Sequence, residues 1–368
     1  MTKDIKINDD SELLKIMMDD YWIQDKRNQA DEFWKNYEIW NLRMLQNYGL
    51  REFLNRSNSF GGIFTKKSIF PEKISYFFNL IAIESKFTKI CQGLGLKIFL
   101  FKKIAYNFLY KWVREDPDAI RQRYGDMIFQ LLHILPNGGR LYELNDDLIG
   151  NPSEILKFGD KYYSLNFLEY FWKALLLEKY LDLSHLDYFF EIGAGYGGQA
   201  DVLLKMFPNL RICITDIPPQ LYVIEQYLKA LFPDDVLGYK ESKRLQSIDK
   251  GTFADKRIIV VAPWEVKKIK DNTFENFTNQ ASFQEMSHET VRCYCRELNR
   301  LVSNGIFLFE QREGCGGVKN PVTKNDYIEY LTAFKIVESK TTLLGGHLGN
   351  DPNRPFGHND IYVFKKTA

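Results

Sequence analysis

The sequence predicts an α/β protein, a helical N-terminal part followed by one mostly parallel sheet of Rossmann-like type. Three observations predict it. From Tyr188 onward, short apolar runs alternate with amphipathic segments: "YFFEI", "RICITDI", "RIIVVAP", then "GIFLFEQ" and "DIYVFKK". That alternation is the rhythm of strand–helix–strand units. The first run closes on a glycine-rich turn, Gly193-Ala-Gly195-Tyr-Gly197-Gly198. Before about residue 156 the apolar spacing is three and four, the period of helices.

In order along the chain, "DEFWKNYEIWNLRMLQNYG" places Phe33, Tyr37, Trp40, Met44 and Tyr48 on one helical stripe that stops at Gly49. Residues 57–71 read as a glycine-containing loop, and "KISYFFNLIAIESKF" and "KIFLFKKIAYNFLYKWVRED" as two further helices. Residues 136–154 are a turn-rich connection. A strong helix spans Ser164 to Leu183, with Ser164 as its N-cap. The expected division is a helical domain over 1–155 and a sheet domain over 156–368, with the 164–183 helix assignable to either. A weak third strand precedes 238–245, the fourth ends in "VVAPWE", and the terminal "TTLLGGHLGNDPNRPFGHNDIYVFKK" reads as an antiparallel hairpin closing a seven-stranded sheet. Pro218 and Pro219 suit the first turn of the helix after the second strand.

Composition narrows the function. A net charge of +1 over 368 residues argues against nucleic acid as a partner. The polar start lacks the apolar core of a secretory signal, and no uncharged run reaches the roughly 18 residues a spanning helix needs. Five scattered cysteines suit reduced thiols in a cytoplasm. Cys293 and Cys295, two apart on an apparent helix, point to different faces and do not form a metal site.

The glycine turn has two parses. Gly193, Gly195 and Gly198 spell the G-x-G-x-x-G of dinucleotide sites. Glu191 with Gly193, Gly195 and Gly197 spells the E-x-G-x-G-x-G turn of S-adenosylmethionine-dependent methyltransferases. In both, glycines let backbone approach the ligand, and the following helix offers unpaired N–H groups. Charge separates them: a pyrophosphate disfavours a carboxylate beside the turn, whereas S-adenosylmethionine brings an ammonium and a sulfonium that Glu191 suits. Asp216, closing the second strand, serves ribose hydroxyls in either case. The cofactor expected is therefore S-adenosylmethionine. The alternatives are an NAD-dependent dehydrogenase and a non-catalytic methyltransferase-fold partner in a glycan-assembly complex.

Residues 145–368 further resemble the sugar O-methyltransferase family of bacterial surface-polysaccharide clusters. The resemblance lies in Glu191–Gly197, in "DIPPQL" (Asp216 to Leu221), in "NQASFQEM" (Asn279 to Met286), in "IGNP" (Ile149 to Pro152) and in the terminal "GHNDIYVF". It implies a class I methyltransferase sheet and O-methylation of a sugar hydroxyl, on an acceptor that is nucleotide-linked, lipid-linked or polymeric. The first ~140 residues match nothing and are candidates to cover the acceptor site.

Methyl transfer to a hydroxyl needs alignment and a base for the proton. Carboxylates do not cluster at the strand ends as a metal requires, so a His/Glu base is expected: Glu285 with His288 at i, i+3 first, then His347, then His358. The bland alternative is that Ser287 or His288 merely starts a helix. Tyr196 and Gln199 stand at the turn to touch cofactor or substrate, unless Gln199 is an exposed first-turn residue. Ile217, Pro263 and Trp264 flank the adenosine side, unless Trp264 only packs the core. Glu241 or Ser242 are further adenine candidates. The basic, aromatic stretch 97–114 admits peripheral membrane association at the inner face of the cytoplasmic membrane, against a simpler reading as a packed helix with lysines reaching outward.

Overall fold

Two short helices, a hairpin and a long sheet follow one another in a computed structural model that describes residues 6–25, 29, 32–54, 137–152, 155–181, 183, 188–311, 320–342 and 359–367. The expected loop 57–71, the two helices within 73–116, His347 and His358 lie outside the described residues.

Helix α1 (Ser11–Trp22) starts where the Asp10 carboxylate accepts the Leu13 N–H at 2.9 Å, satisfying one of the free first-turn donors. Helix α2 (Glu32–Tyr48) stops as expected at Gly49, which takes φ +62°. Its buried face corrects the sequence reading. Trp40 and Tyr48 of the expected stripe are exposed, whereas Glu38, Asn41 and Leu45 are buried. Periodicity locates the helix, whereas the stripe positions Trp40 and Tyr48 lie on its exposed side.

Strands β1 (Ile155–Phe158) and β2 (Lys161–Ser164) form an antiparallel hairpin, so the expected boundary at 155/156 falls inside β1. Ser164 caps α3 (Leu165–Leu181), its hydroxyl accepting the Phe167 N–H at 3.2 Å while Asp146 holds it from behind.

The main sheet contains β3 (Tyr188–Ile192), β4 (Arg211–Thr215), β5 (Val236–Leu237), β6 (Ile258–Val261), β7 (Phe274–Gln280), β8 (Val302–Gln311), β9 (Phe334–Thr342) and β10 (Asn359–Lys366). Their spatial order is β5-β6-β4-β3-β7-β8-β10-β9. All pairs are parallel except β10, which inserts antiparallel between β8 and β9. This is a Rossmann-like sheet closed by the expected hairpin. Its strand count is eight among the described residues rather than seven, because β7 was not among the expected strands; the expected weak third strand is the two-residue edge β5. Strand β7 escaped the sequence reading. Its "FENFTNQ" is half polar, yet Asn276, Thr278 and Asn279 are fully buried. Thr278 donates to the Phe307 carbonyl and Asn276 Oδ1 accepts from the Asn304 amide, pairings that lower the cost of burying them, although Asn276 Nδ2 has no partner.

Both faces of the sheet are covered. One core joins Phe189, Ile212, Ile214 and Phe307 to α1, α3, α4 (Gly198–Met206) and α5 (Gln220–Leu231). The other joins Phe190, Cys213, Ile259 and Leu308 to α7 (His288–Leu301) and α8 (Lys324–Tyr330); the one-turn α6 (Tyr239–Ser242) stands at the β5 edge, with its Tyr239 in the first core. Burial on both faces explains why "IIVV" of β6 is apolar throughout rather than alternating. On α7, Cys295 is buried and Cys293 is not, the divergence expected from their spacing. Among the described residues, no helix is long and apolar enough to cross a membrane.

Candidate functional site

Strand order reverses beside β3: β4 and β6 lie on one side, β7 and β8 on the other. The crevice at the carboxyl ends of such strands is where open α/β sheets bind ligands. Glu191 and Asp216 stand at this edge, on β3 and immediately after β4.

Gly193, Gly195 and Gly197 all have positive φ, at +73°, +63° and +91°. Two of them need glycine for different reasons. A Cβ on Gly193 meets Ser282 Oγ at 1.9 Å and its Cβ at 2.4 Å, so this glycine admits the segment after β7. A Cβ on Gly195 meets nothing within 4 Å. Its side of the exposed turn faces open space, as a turn that cradles a ligand requires. The Gly195 N–H donates to Asp216 Oδ2 at 2.9 Å, and the Ile217 N–H to Oδ1 at 2.8 Å. These bonds orient the carboxylate, while burial pushes its pKa up to about 7.

Glu191 is 2% exposed, and its Oε2 has no hydrogen-bond partner. Burial pushes its pKa up to about 8, against the pull of Lys173. An isolated buried carboxylate is costly when charged, so at neutral pH it is mostly protonated until a cation arrives. An ammonium or sulfonium matches it; a pyrophosphate does not. The orphaned oxygen, the open Gly195 cradle and Asp216 fit S-adenosylmethionine.

The other expected contacts sort into wall and frame. Tyr196 is buried among Phe53, Tyr170 and Tyr227, with ring centroids 5.7, 5.7 and 5.3 Å away. Gln199 is 1% exposed rather than a solvent-facing first-turn residue. It donates to the Tyr170 carbonyl at 3.3 Å and accepts from Gln280 at 2.9 Å. Pro263 and Trp264 follow β6 in the turn Pro263–Lys268; Trp264 is buried against Tyr239 and against Tyr21 of α1, while Ile217 is half-buried. Glu241 caps Gly238 within the local turn, and the Ser242 hydroxyl ties that turn to β6 by donating to the Val260 carbonyl.

The "NQASFQEM" segment is held by Asn279. Its amide donates to the Ile192 carbonyl at 2.8 Å and to Ser282 Oγ, and its oxygen accepts the N–H groups of Ser282 and Phe283. Phe283 then stacks on Phe277 and Tyr294. This stitching fixes Glu285, whose Oε2 accepts the Trp34 indole N–H of α2 at 2.7 Å. The expected Glu285–His288 pair is not formed. His288 opens α7 after the Ser287 cap and turns to α8, with Nδ1 3.1 Å from Tyr330 Oη and 3.6 Å from Asp326, and Nε2 3.2 Å from Asn320. The 3-10 turn over Phe283–Glu285 breaks the helical spacing that the i, i+3 argument assumed.

Glu310, at the end of β8, is a residue the sequence reading missed. It accepts the Tyr327 hydroxyl at 2.9 Å, its Oε2 has no partner, and burial with the nearby Glu285 charge pushes its pKa up to about 8. Its signal was available: like Asp216, it is an acid closing an apolar strand.

No family model and no curated protein matches the chain. Among solved structures it is similar to the mitomycin 7-O-methyltransferase MmcR, at 13% identity and TM-score 0.35, over 65% of this chain and 60% of that one. It is also similar to magnesium protoporphyrin IX methyltransferase from Synechocystis PCC 6803 with bound SAM, at 10% identity and TM-score 0.37, over 54% and 81% of the two chains. A third is a methyltransferase for sarcosine and dimethylglycine, so described from Galdieria sulphuraria, at 15% identity and TM-score 0.37, over 54% and 84%. Likeness at this level assigns neither substrate nor ligand to this chain.

Proposed function

We propose that the chain is a metal-independent, S-adenosylmethionine-dependent O-methyltransferase acting on a sugar hydroxyl, of a bacterial surface polysaccharide or its precursor. The observation that carries the cofactor is Glu191, a buried carboxylate with an unpartnered oxygen behind a glycine turn open at Gly195. The sugar rests on the sequence resemblance. When bound, the cofactor supplies a methyl group activated by a sulfonium. Glu191 would hold the ammonium, Asp216 would hold the ribose diol, and the open Gly195 cradle would take the ligand. Trp264 and Pro263 shape the adenosine side. The hydroxyl proton passes to Glu285, which Trp34 of α2 holds in place. A positioned general base is worth about 10²–10⁴ in rate. His347 and His358 remain base candidates on the segment before β10. Helices α1 and α2 of the N-terminal part cover the acceptor site.

The test is calorimetric titration with S-adenosylhomocysteine, with NAD as control, followed by labelled methyl transfer to a panel of nucleotide sugars and surface glycans. Binding of S-adenosylhomocysteine alone, then labelled product, is the expected result. NAD binding alone makes the protein a dehydrogenase. Cofactor binding without product on any acceptor favours the non-catalytic role.

A further inference from the structure

Helix α2 is fastened around the crevice at three points. Trp34 bonds Glu285 after β7. Glu38 accepts the Tyr21 hydroxyl at 3.0 Å, and Tyr21 lies 6.2 Å from the Trp264 ring after β6. Beyond the helix, Phe53 packs against Tyr196 of the glycine turn. The face between these points is the polar one. Glu38 is 3% exposed with Oε1 unpartnered, and Asn41 is 1% exposed with neither Oδ1 nor Nδ2 partnered. A helix held by apolar packing alone has no reason to bury these two and expose Trp40. Each unsatisfied group weakens the fold, so their placement points to an absent partner.

The chemistry of that partner follows from the groups. Asn41 offers a donor and an acceptor, and Glu38 a carboxylate oxygen. Residues three apart on a helix have Cβ atoms roughly 5–6 Å apart, a span matched by hydroxyls two or three carbons apart on one sugar ring. Glu38 disfavours an anion, and a lone carboxylate beside an amide makes a poor cation site. The ribose diol and the ammonium of the cofactor already have Asp216 and Glu191. We propose that Glu38 and Asn41 grip the hydroxyls of a neutral sugar ring, the acceptor, and that Trp34 and Tyr21 hold α2 as the roof of that subsite. This rests on the methyltransferase reading for its reaction but not for its binding.

The experiment compares wild type with Asn41→Leu and Glu38→Gln. Three readouts are taken: melting temperature without ligand, S-adenosylhomocysteine affinity, and protection of the S-adenosylhomocysteine complex against melting by methyl glycosides of glucose, galactose, mannose and rhamnose. Asn41→Leu replaces an unsatisfied amide by an apolar group of similar size. The expected result is a raised melting temperature, cofactor affinity unchanged within about twofold, and sugar protection weakened by about tenfold or more. Glu38→Gln keeps an acceptor for Tyr21 and weakens the same protection. A lowered melting temperature for Asn41→Leu makes Asn41 structural, and lost cofactor affinity assigns it to the cofactor; either result overturns the proposal. So does a wild-type complex that no glycoside protects. If glycosides protect wild type but not the variants while no methyl group is transferred, the enzymatic reading fails and the sugar grip stands.

Discussion

The turn after β3 and helix α2 contribute to one crevice by opposite means. At the turn, backbone satisfies the polar groups: Asp216 takes the amides of Gly195 and Ile217, and the Gly193 N–H reaches the Thr215 carbonyl at 2.9 Å. One oxygen of Glu191 is left over. On α2, side chains do everything, and Glu38 and Asn41 leave three polar atoms unpartnered between them. A backbone-built site is largely formed before the ligand arrives. A side-chain-built one on a docked helix is completed by it. The first suits a cofactor common to many reactions, the second a particular acceptor.

The comparison breaks first at Glu191. Removing one partner of a buried charge pair typically costs about 3–5 kcal/mol, so Glu191→Ala should lower S-adenosylhomocysteine affinity by two orders of magnitude or more, roughly, in calorimetry. Glu38→Ala should leave that affinity almost unchanged. Equal losses would make the two sides one site.

The next effects separate two glycines. Gly193→Ala combines a left-handed φ with a collision against Ser282, and urea unfolding should show a loss of about 2–4 kcal/mol. Gly195→Ala meets only the φ penalty, about 1 kcal/mol. Its larger effect should be on cofactor affinity, about tenfold, because the added methyl enters the open cradle. If Gly195→Ala binds normally, the ligand does not approach there.

Protons sharpen the contrast. With its pKa up at about 8, Glu191 is mostly protonated at pH 7 and ionises when the ammonium binds. Calorimetry in buffers of different ionisation enthalpy should therefore show release of about one proton, absent in Glu191→Gln. The stability sign is fixed by the same shift. A carboxyl raised from 4.5 contributes stability that is present in full below about pH 4.5 and is lost progressively as pH rises through about 8. The unliganded protein should lose melting temperature across that window, and less so in Glu191→Gln.

The smallest effect belongs to His288. Half-exposed and turned toward Asp326 and Tyr330, it should cost about 1 kcal/mol or less as His288→Ala, with methyl transfer retained. Loss of transfer would return it to the base.

Legibility follows the same divide. The turn is readable because positive φ demands glycine and because an acid closing a strand is a local pattern; both act through neighbours in sequence. The parallel strands with apolar runs were readable too. Strand β7 was not, since its buried polar groups find their partners on β8, roughly thirty residues on, and on Ile192 of β3, 87 positions back. Glu285 was found but its partner was not, because Trp34 lies 251 positions upstream. Glu310 carried a strand-end signal that went unused.

Sequence alone determined the α/β class, the glycine turn, the carboxylates at 191 and 216 and the helix over 32–48, because each depends on short-range geometry of the backbone. Tertiary structure alone decided which face of α2 is buried, that His288 serves α8, and that Glu285 takes the Trp34 indole. Those outcomes depend on which distant groups can satisfy a buried polar atom, and hydrogen-bond satisfaction is settled only when all the elements are packed together.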